Sequence, residues 1–389
     1  MEKQKLWDYL DAHKDSLADL ADWIFDHPEL GEQEFEAASK LTTLLEEKGF
    51  QLERGIAGLP TAWRATYQQG KDGPRIGLLC EYDALEGIGH ACAHHIQGPA
   101  IVYAAMALKE CLKDKNFSLV VYGTPAEETT HGKLRMIEQG YFQDIDVALM
   151  THGSPSTTVD VKSMALNSVR VIFHGKKAHA ALKPEAGRSA LDALLICFQG
   201  VEFLREHVDE DTRMHYTIGA LPGPANVVPD KAVGDFKLRS YSRARLDKVM
   251  DRFEKIVQGA ALIADVSYEM IVGDKLDSKV PVLSLNDLLM KQAQELDAPR
   301  MTPPRQKTGS SDFGNVMYRV PGSCIRVAMV PPEASAHSDE FLAAGKTAET
   351  HAATVLAAKV LAGAALEMIE EPQMIADFWE EHTKNKAQL

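Results

Sequence analysis

The sequence predicts an α/β protein, with a catalytic domain on a mainly parallel, mixed sheet and a smaller inserted α+β domain of ferredoxin-like order. Three observations carry this. Short apolar runs that read as buried strands, at Ile76–Cys80, Leu119–Tyr122, Val147–Met150 and Ile325–Val330, are separated by helical patterns, the signature of a sheet covered on both faces. Between residues 163 and 273 the texture changes to apolar residues at every second position, with two helices interleaved in β-α-β-β-α-β order. The 389 residues also exceed what one compact core usually holds.

Taken in order, Leu6, Leu10, Leu17, Leu20 and Ile24 recur at helical spacing and stop near His27-Pro28. Phe35, Ala38, Leu41 and Leu45 mark a second helix, which Gly49 ends. The first two buried strands flank a helix from about Pro99 to Leu112. In the inserted region Val169, Val171 and Phe173 alternate with polar residues. A helix follows from about Ser189 to His207, then alternating stretches around Met214, Tyr216 and Ile218 and around Phe236 and Leu238. A helix from Arg245 to Ala261 and a strand near Val266 complete the order. The expected division is 1–162 with 274–389 for the catalytic domain and 163–273 for the insertion.

Composition narrows the function. A net charge of −14 argues against general affinity for nucleic acid or anionic lipid. No apolar run is expected to reach the ~20 residues of a membrane helix, and the polar start at Met1-Glu2-Lys3-Gln4-Lys5 has no signal-peptide pattern. A cytoplasmic protein with no membrane partner is the expectation. The five cysteines, Cys80, Cys92, Cys111, Cys197 and Cys324, are not spaced as a disulfide framework. Four sit in apolar surroundings, but histidines surround Cys92.

In open α/β sheets, ligands collect beyond the carboxyl ends of the strands. Here those ends carry Glu81-Tyr82-Asp83 and the cluster His90-Ala91-Cys92-Ala93-His94-His95, then Pro125-Ala126-Glu127-Glu128, then Thr151-His152, then Ala336-His337-Ser338. Cys, His and Glu are the side chains that bind zinc or manganese. Any one alone is more often a cap or a solvated loop residue; their convergence from four strand ends makes the case. Glu127 and Glu128 are adjacent, so in an extended segment they point apart. One can bind a metal while the other serves as general base on a water activated by it.

These motifs resemble the aminoacylase and carboxypeptidase family of two-metal peptidases, family M20, and in particular its amidohydrolase subfamily D. The resemblance begins at Ile24-Phe25-Asp26-His27-Pro28-Glu29-Leu30-Gly31 and runs through Glu81-Tyr82-Asp83-Ala84-Leu85, Gly89-His90-Ala91-Cys92-Ala93-His94, Pro125-Ala126-Glu127-Glu128 and Ser311-Asp312-Phe313-Gly314-Asn315 to Ala336-His337-Ser338. It implies two divalent ions, zinc or manganese, on Cys92, His94, Glu128, His152 and His337, with Glu127 as general base. Glu81 or Asp83 would orient a ligand. His179, within Gly175-Lys176-Lys177-Ala178-His179-Ala180, would stabilise the oxyanion in the partner subunit's site, and Asn226 would help bind substrate. A homodimer or higher homo-oligomer through the inserted lid domain is implied as well. Gly309 and Ser310 are candidates for binding a substrate carboxylate through backbone N–H groups. Arg239 and Arg305 are candidates for the same task or simply solvated charges.

The chain departs from the family pattern around the ligands. The usual Cys-Gly-His-Asn or Cys-Gly-His-Asp is Cys92-Ala93-His94-His95, proline is usual where Glu86 and Gly153 stand, and a glycine-rich stretch is Thr129-Thr130-His131-Gly132. The reaction expected is hydrolysis of the amide bond of a small N-acyl or aroyl amino acid or dipeptide. Deamination of a small aromatic or amidine substrate is the alternative. A binding protein without catalysis is a third reading, against which Glu127 speaks.

Overall fold

The computed structural model describes residues 2–389. The chain opens with helices α1 (Glu2–Ala12), α2 (Lys14–Asp26) and α3 (Phe35–Glu47). The single opening helix expected from the apolar spacing is thus two, interrupted at His13, and α2 buries Leu17, Leu20, Ala21 and Ile24 as one face. Next come β1 (Gln51–Arg54), β2 (Trp63–Gln69), β3 (Arg75–Cys80), α4 (Gln97–Cys111), β4 (Phe117–Gly123) and α5 (Gly132–Glu138). Strands β5 (Val147–Ser154) and β6 (Thr158–Val159) follow. The insertion holds β7 (Ala165–His174), α6 (Ala190–Arg205), β8 (Arg213–Ala220), β9 (Lys231–Ser240), α7 (Arg243–Ala264) and β10 (Ser267–Leu276). The first unit then resumes with α8 (Leu283–Glu295), α9 (Phe313–Met317), β11 (Gly322–Ala328), α10 (Asp339–Ala344), α11 (Ala348–Glu370) and α12 (Gln373–Lys386).

Seven strands form the sheet of the first unit, in the order β1-β2-β4-β3-β5-β11-β6. The four central strands β4, β3, β5 and β11 are parallel, while β1, β2 and β6 join antiparallel at the two edges. The sheet is therefore parallel only at its centre. Strand β1, with the sequence Gln51-Leu52-Glu53-Arg54, is almost wholly exposed, so no apolar run announced it. Helix α4 is buried from Gln97 to Leu108, which is why its residues are apolar all round rather than on one stripe. Helix α11 is likewise long and apolar enough to cross a membrane by composition, contrary to the expectation of no such run, but 78% of its most apolar stretch is buried in the core.

The second unit comprises residues 163–278, with Leu389 against it, and the first comprises 2–162 and 279–388. The second junction falls five residues beyond the expected one because β10 keeps pairing with β7 as far as Leu276 opposite Leu166. The four strands run β10-β7-β9-β8, all antiparallel, the ferredoxin-like arrangement. Helices α6 and α7 share one core with Val169, Val171, Phe173, Phe236 and Leu238, the residues whose period-two spacing marked the strands.

Candidate metal centre

The carboxyl ends of the four parallel strands β3, β4, β5 and β11 carry the candidate ligands, where an open sheet exposes backbone and loops. Behind β3, the chain reaches Cys92 through a loop and turns at Ala93 in the left-handed region, with φ 66°. That turn starts a short 3-10 segment, His94–Ile96, that leads into α4. Behind β4, Ala126 is also left-handed, with φ 60°. The buried Glu34 carboxylate holds that bend by accepting the Ala126 N–H at 2.8 Å and the Thr61 hydroxyl at 2.7 Å. Glu127 and Glu128 come next. His152 lies within β5 rather than after it, because the strand continues to Ser154, with His152 in register with Arg326 of β11. His337 follows β11 by a loop and adopts φ 65°, its N–H donating to the Ala91 carbonyl at 3.0 Å.

All five candidate ligands meet. Donor atoms of Cys92, His94 and His152 lie within 4.8 Å of one another, as do those of Cys92, Glu128 and His337, so the thiol belongs to both groups. Cys92 Sγ is 3.6 Å from His152 Nε2, and His337 Nε2 is 3.1 Å from Glu128 Oε1. The ring orientations follow from bonds on the far nitrogens. His152 Nδ1 donates to the Gly153 carbonyl at 2.8 Å, and His94 Nδ1 donates to Asp83 Oδ1 at 3.0 Å. Each leaves Nε2 facing the cluster. Burial opposes a charge on the His94 imidazole, but Cys92 and Asp83 outweigh it and raise the group well above its usual value; a metal at Nε2 would displace that proton. The other Asp83 oxygen accepts the Glu128 N–H at 3.0 Å, so one carboxylate positions two candidate ligands.

The donor set fits a pair of divalent ions. His94 Nε2 is buried and makes no hydrogen bond, although Glu81 Oε2 stands 3.3 Å away. Burial and the Arg326 charge hold the His152 imidazole down at about 3, so it is neutral, as a ligand must be. Burial pushes the Cys92 thiol up to about 12 against the pull of His94; only a cation at the sulfur makes a thiolate of it there. Sulfur, imidazole and carboxylate together suit a divalent transition-metal ion.

A second layer of charge lies beneath. Lys133, fully buried at the start of α5, reaches Glu81 Oε1 at 2.6 Å and Asp312 Oδ1 at 2.7 Å. Burial opposes the charge on Glu81, but Lys133 and His94 override it and hold the carboxyl well below its usual range. Gln97 braces the same carboxylate, donating to Oε2 at 2.9 Å and accepting the Glu81 N–H at 3.0 Å. Glu127 sits within 4.8 Å of both acids. Withdrawal from water and the charges of Glu81 and Asp312 push its carboxyl well above the ordinary value, the direction that strengthens a general base. Lys133 and Gln97 carried no motif in the sequence; only their shared buried partner reveals them.

The remaining candidates divide between the units. Gly309 and Ser310 line a cavity of about 540 Å³ together with Cys92, Glu127, Glu128, His152 and His337. His179 and Asn226 belong to the inserted unit, where their segments pair: His179 bridges Val227, and the Ala180 N–H donates to the Asn226 carbonyl at 3.1 Å. Arg239 is on β9 of the same unit. His95 Nε2 lies 2.9 Å from the Gly345 carbonyl, to which it donates, and the ring packs on Phe25. His131 bonds the Glu127 carbonyl at 2.8 Å. Both serve packing and loop shape.

Residues 75–363 match the family described as Peptidase family M20/M25/M40. The chain belongs to that family. It is 34% identical over 313 residues to one of the two polypeptides of the p-aminobenzoyl-glutamate hydrolase of Escherichia coli, a match spanning 75% of this chain and 65% of that polypeptide. It is 30% identical over 387 residues to the human Xaa-Arg dipeptidase, covering 94% of this chain and 88% of that enzyme. A dinuclear metal-binding peptidase of the family from Bacillus subtilis shares its fold, with a TM-score of 0.73 at 19% identity over 92% of this chain and 99% of the other.

Two of the departures around the ligands, Ala93 and Gly153, face each other in space. A Cβ at Gly153 would run into Met329 Sδ and lie 2.7 Å from the Ala93 methyl. The methyl that a glycine at 93 would lack therefore occupies the room that a proline at 153 would need. Met329 takes the rest of that room, so Ala93 accounts for only part of the constraint on Gly153.

Proposed function

We propose that the chain is a metal-dependent hydrolase of the amide bond in a small N-acyl or aroyl amino acid or dipeptide. The observation that carries this is geometric: the Glu127 carboxylate stands within 4.8 Å of His94 and Glu128, beside a cluster of five convergent donors. Cys92, His94 and His152 would hold one divalent ion, and Cys92, Glu128 and His337 a second, zinc or manganese in each case. Ions there supply Lewis acidity, polarising a carbonyl and lowering the pKa of water from about 15.7 to about 7. Glu127 takes the proton of the attacking water and hands it to the leaving nitrogen as the C–N bond breaks. Asp83 keeps His94 and the Glu128 backbone in place, and Gly309 and Ser310 face the substrate. His179 stabilises the oxyanion and Asn226 binds substrate, with the inserted unit joining two copies. A reducing, cytoplasmic setting keeps Cys92 free for metal.

The relatives support this reaction class, and their names leave the amine half open: glutamate for one, arginine for another. Those names speak for acyl–nitrogen cleavage, not for deamination. The test is turnover of hippurate, N-acetyl amino acids, aminobenzoyl-glutamate and β-alanyl dipeptides by chelated protein before and after manganese or zinc readdition. Restored turnover with equal yields of carboxylate and amine is expected. Glu127→Gln should lower kcat by about 10²- to 10⁴-fold at unchanged metal content. Full activity in that variant, or ammonia as the nitrogen product, overturns the reading.

A further inference from the structure

Two buried charge clusters adjoin the cavity. One gathers cations: Asp160 accepts from Lys279 at 2.7 Å, Arg305 at 2.6 Å and Arg326 at 3.1 Å. The other gathers acids. Carboxylate oxygens of Glu81, Glu127 and Asp312 lie within 4.8 Å of one another, close enough to share a metal ion. An ammonium already stands among them: Lys133 Nζ is 2.6 Å from Glu81 Oε1 and 2.7 Å from Asp312 Oδ1, and the Glu127 charge acts on it as well. Lys133, Glu81 and Asp312 are buried, whereas Glu127 reaches the cavity. The segment that carries the base also delivers the lysine. His131 is left-handed, with φ 53°, and its N–H donates to the Ala126 carbonyl at 2.7 Å. Gly132 follows where a Cβ would lie 2.3 Å from the Pro125 carbonyl oxygen. The turn after Glu127-Glu128 thus closes on its own start and opens α5 with Lys133, whose N–H donates to Asp312 Oδ2 at 3.3 Å.

Carboxylates this close stay charged together only around a cation. All-oxygen donor sets suit hard divalent ions, and calcium takes its oxygens at about 2.3–2.6 Å, little less than the Lys133 contacts. An ammonium in that place differs from an ion in two ways. It is anchored through its own backbone, so it does not exchange, and it donates hydrogen bonds without coordinating carboxylate lone pairs. A divalent ion there would ligate Glu127 and occupy the lone pairs that the attacking water needs. Resting on the two-ion amidase reading above, we infer that Lys133 is a positioning residue that takes the place of a third ion. It limits the centre to two ions and keeps Glu127 unligated as the base.

The test counts ions on the full chain, loaded with zinc, freed of excess and dialysed against calcium, a probe that carboxylates hold and that thiolate and imidazole do not favour. The wild type should hold two zinc ions and no calcium at about 10⁻³ M. Lys133→Met should hold one ion more, with calcium half-saturating at about 10⁻⁴–10⁻³ M. Calcium should then lower kcat of that variant by about 10²-fold or more, and that of the wild type by less than about twofold. A structural counter-charge alone predicts lost stability with no extra ion. Equal ion counts in the two proteins therefore overturn the inference and leave the amidase reading standing. So does an extra ion that leaves turnover of the variant unchanged, because Glu127 then does not ligate it. If the variant is silent before calcium is added, the count decides. A wild type that binds no zinc defeats the two-ion amidase reading, and the calcium counts still decide whether Lys133 fills a cation site. If Lys133→Met does not fold, Lys133→Met combined with Asp312→Asn removes the pair together and strands no single charge; one extra calcium is again expected, and none overturns the inference.

Discussion

Replacing Lys133 with methionine removes an ammonium from between two carboxylates while keeping most of the side-chain volume. Its contacts at 2.6 Å to Glu81 and 2.7 Å to Asp312 are each worth about 6 kcal/mol of gross attraction at an effective dielectric of about 20. Burial of the ions takes back several kcal/mol apiece. What the variant loses is larger than the small remainder, because Glu81 and Asp312 stay buried with no cation between them. Breaking a buried pair in this way costs about 3–5 kcal/mol. The variant should escape part of the cost by protonating one of the two acids, so it binds more protons when folded than the wild type does. Its deficit should therefore shrink as pH falls from 8 to 5. Urea denaturation of chelated protein at those two pH values measures this directly. A deficit below about 1 kcal/mol, or one identical at both pH values, would refute the view of Lys133 as the counter-charge of this site.

Two further predictions concern the scaffold. Burial pushes the Glu34 carboxyl from 4.5 up to about 7, so the folded state holds its proton where the unfolded state has released it. The contribution of Glu34 to stability, read as the difference between wild type and Glu34→Gln, should accordingly fall by about 3 kcal/mol as pH rises from about 4.5 to about 7. Glu34→Gln should lack that slope, and parallel stability–pH profiles for the two proteins would contradict the assignment. Gly153→Ala should cost about 1–3 kcal/mol by overpacking, and Ala93→Gly should recover part of it by removing the facing methyl and the strained φ. A double-mutant cycle read by thermal melting should show coupling of at least about 0.5 kcal/mol; additivity would separate the two positions.

The periodic elements were legible because burial imposes a period. Val169, Val171 and Phe173 alternate because one face of β7 meets α6 and α7, and the runs in β3, β4 and β5 are continuous because both sheet faces are covered. The candidate ligands were legible because metal-binding chemistry favours Cys, His and Glu and topology delivers such residues to strand ends. Strand β1 was not, since an exposed edge strand needs no apolar residues, and neither was the break at His13, where apolar spacing continues across the interruption.

Residue identity and spacing were enough for the two-unit α/β architecture and for gathering Cys92, His94, Glu128, His152, His337 and the carboxylate Glu127 as candidates; the family came from the resemblance of the motifs they form. Local geometry translates each of these directly from the chain. What surrounds them came from folding: Lys133 between Glu81 and Asp312, Gln97 against Glu81, the volume shared by Ala93 and Gly153, and three cations on Asp160. Asp160 lies 119 residues from Lys279 and 166 from Arg326, and no periodicity links such positions. Electrostatic partnership and packing depend on distance through space, which the chain acquires only when it folds.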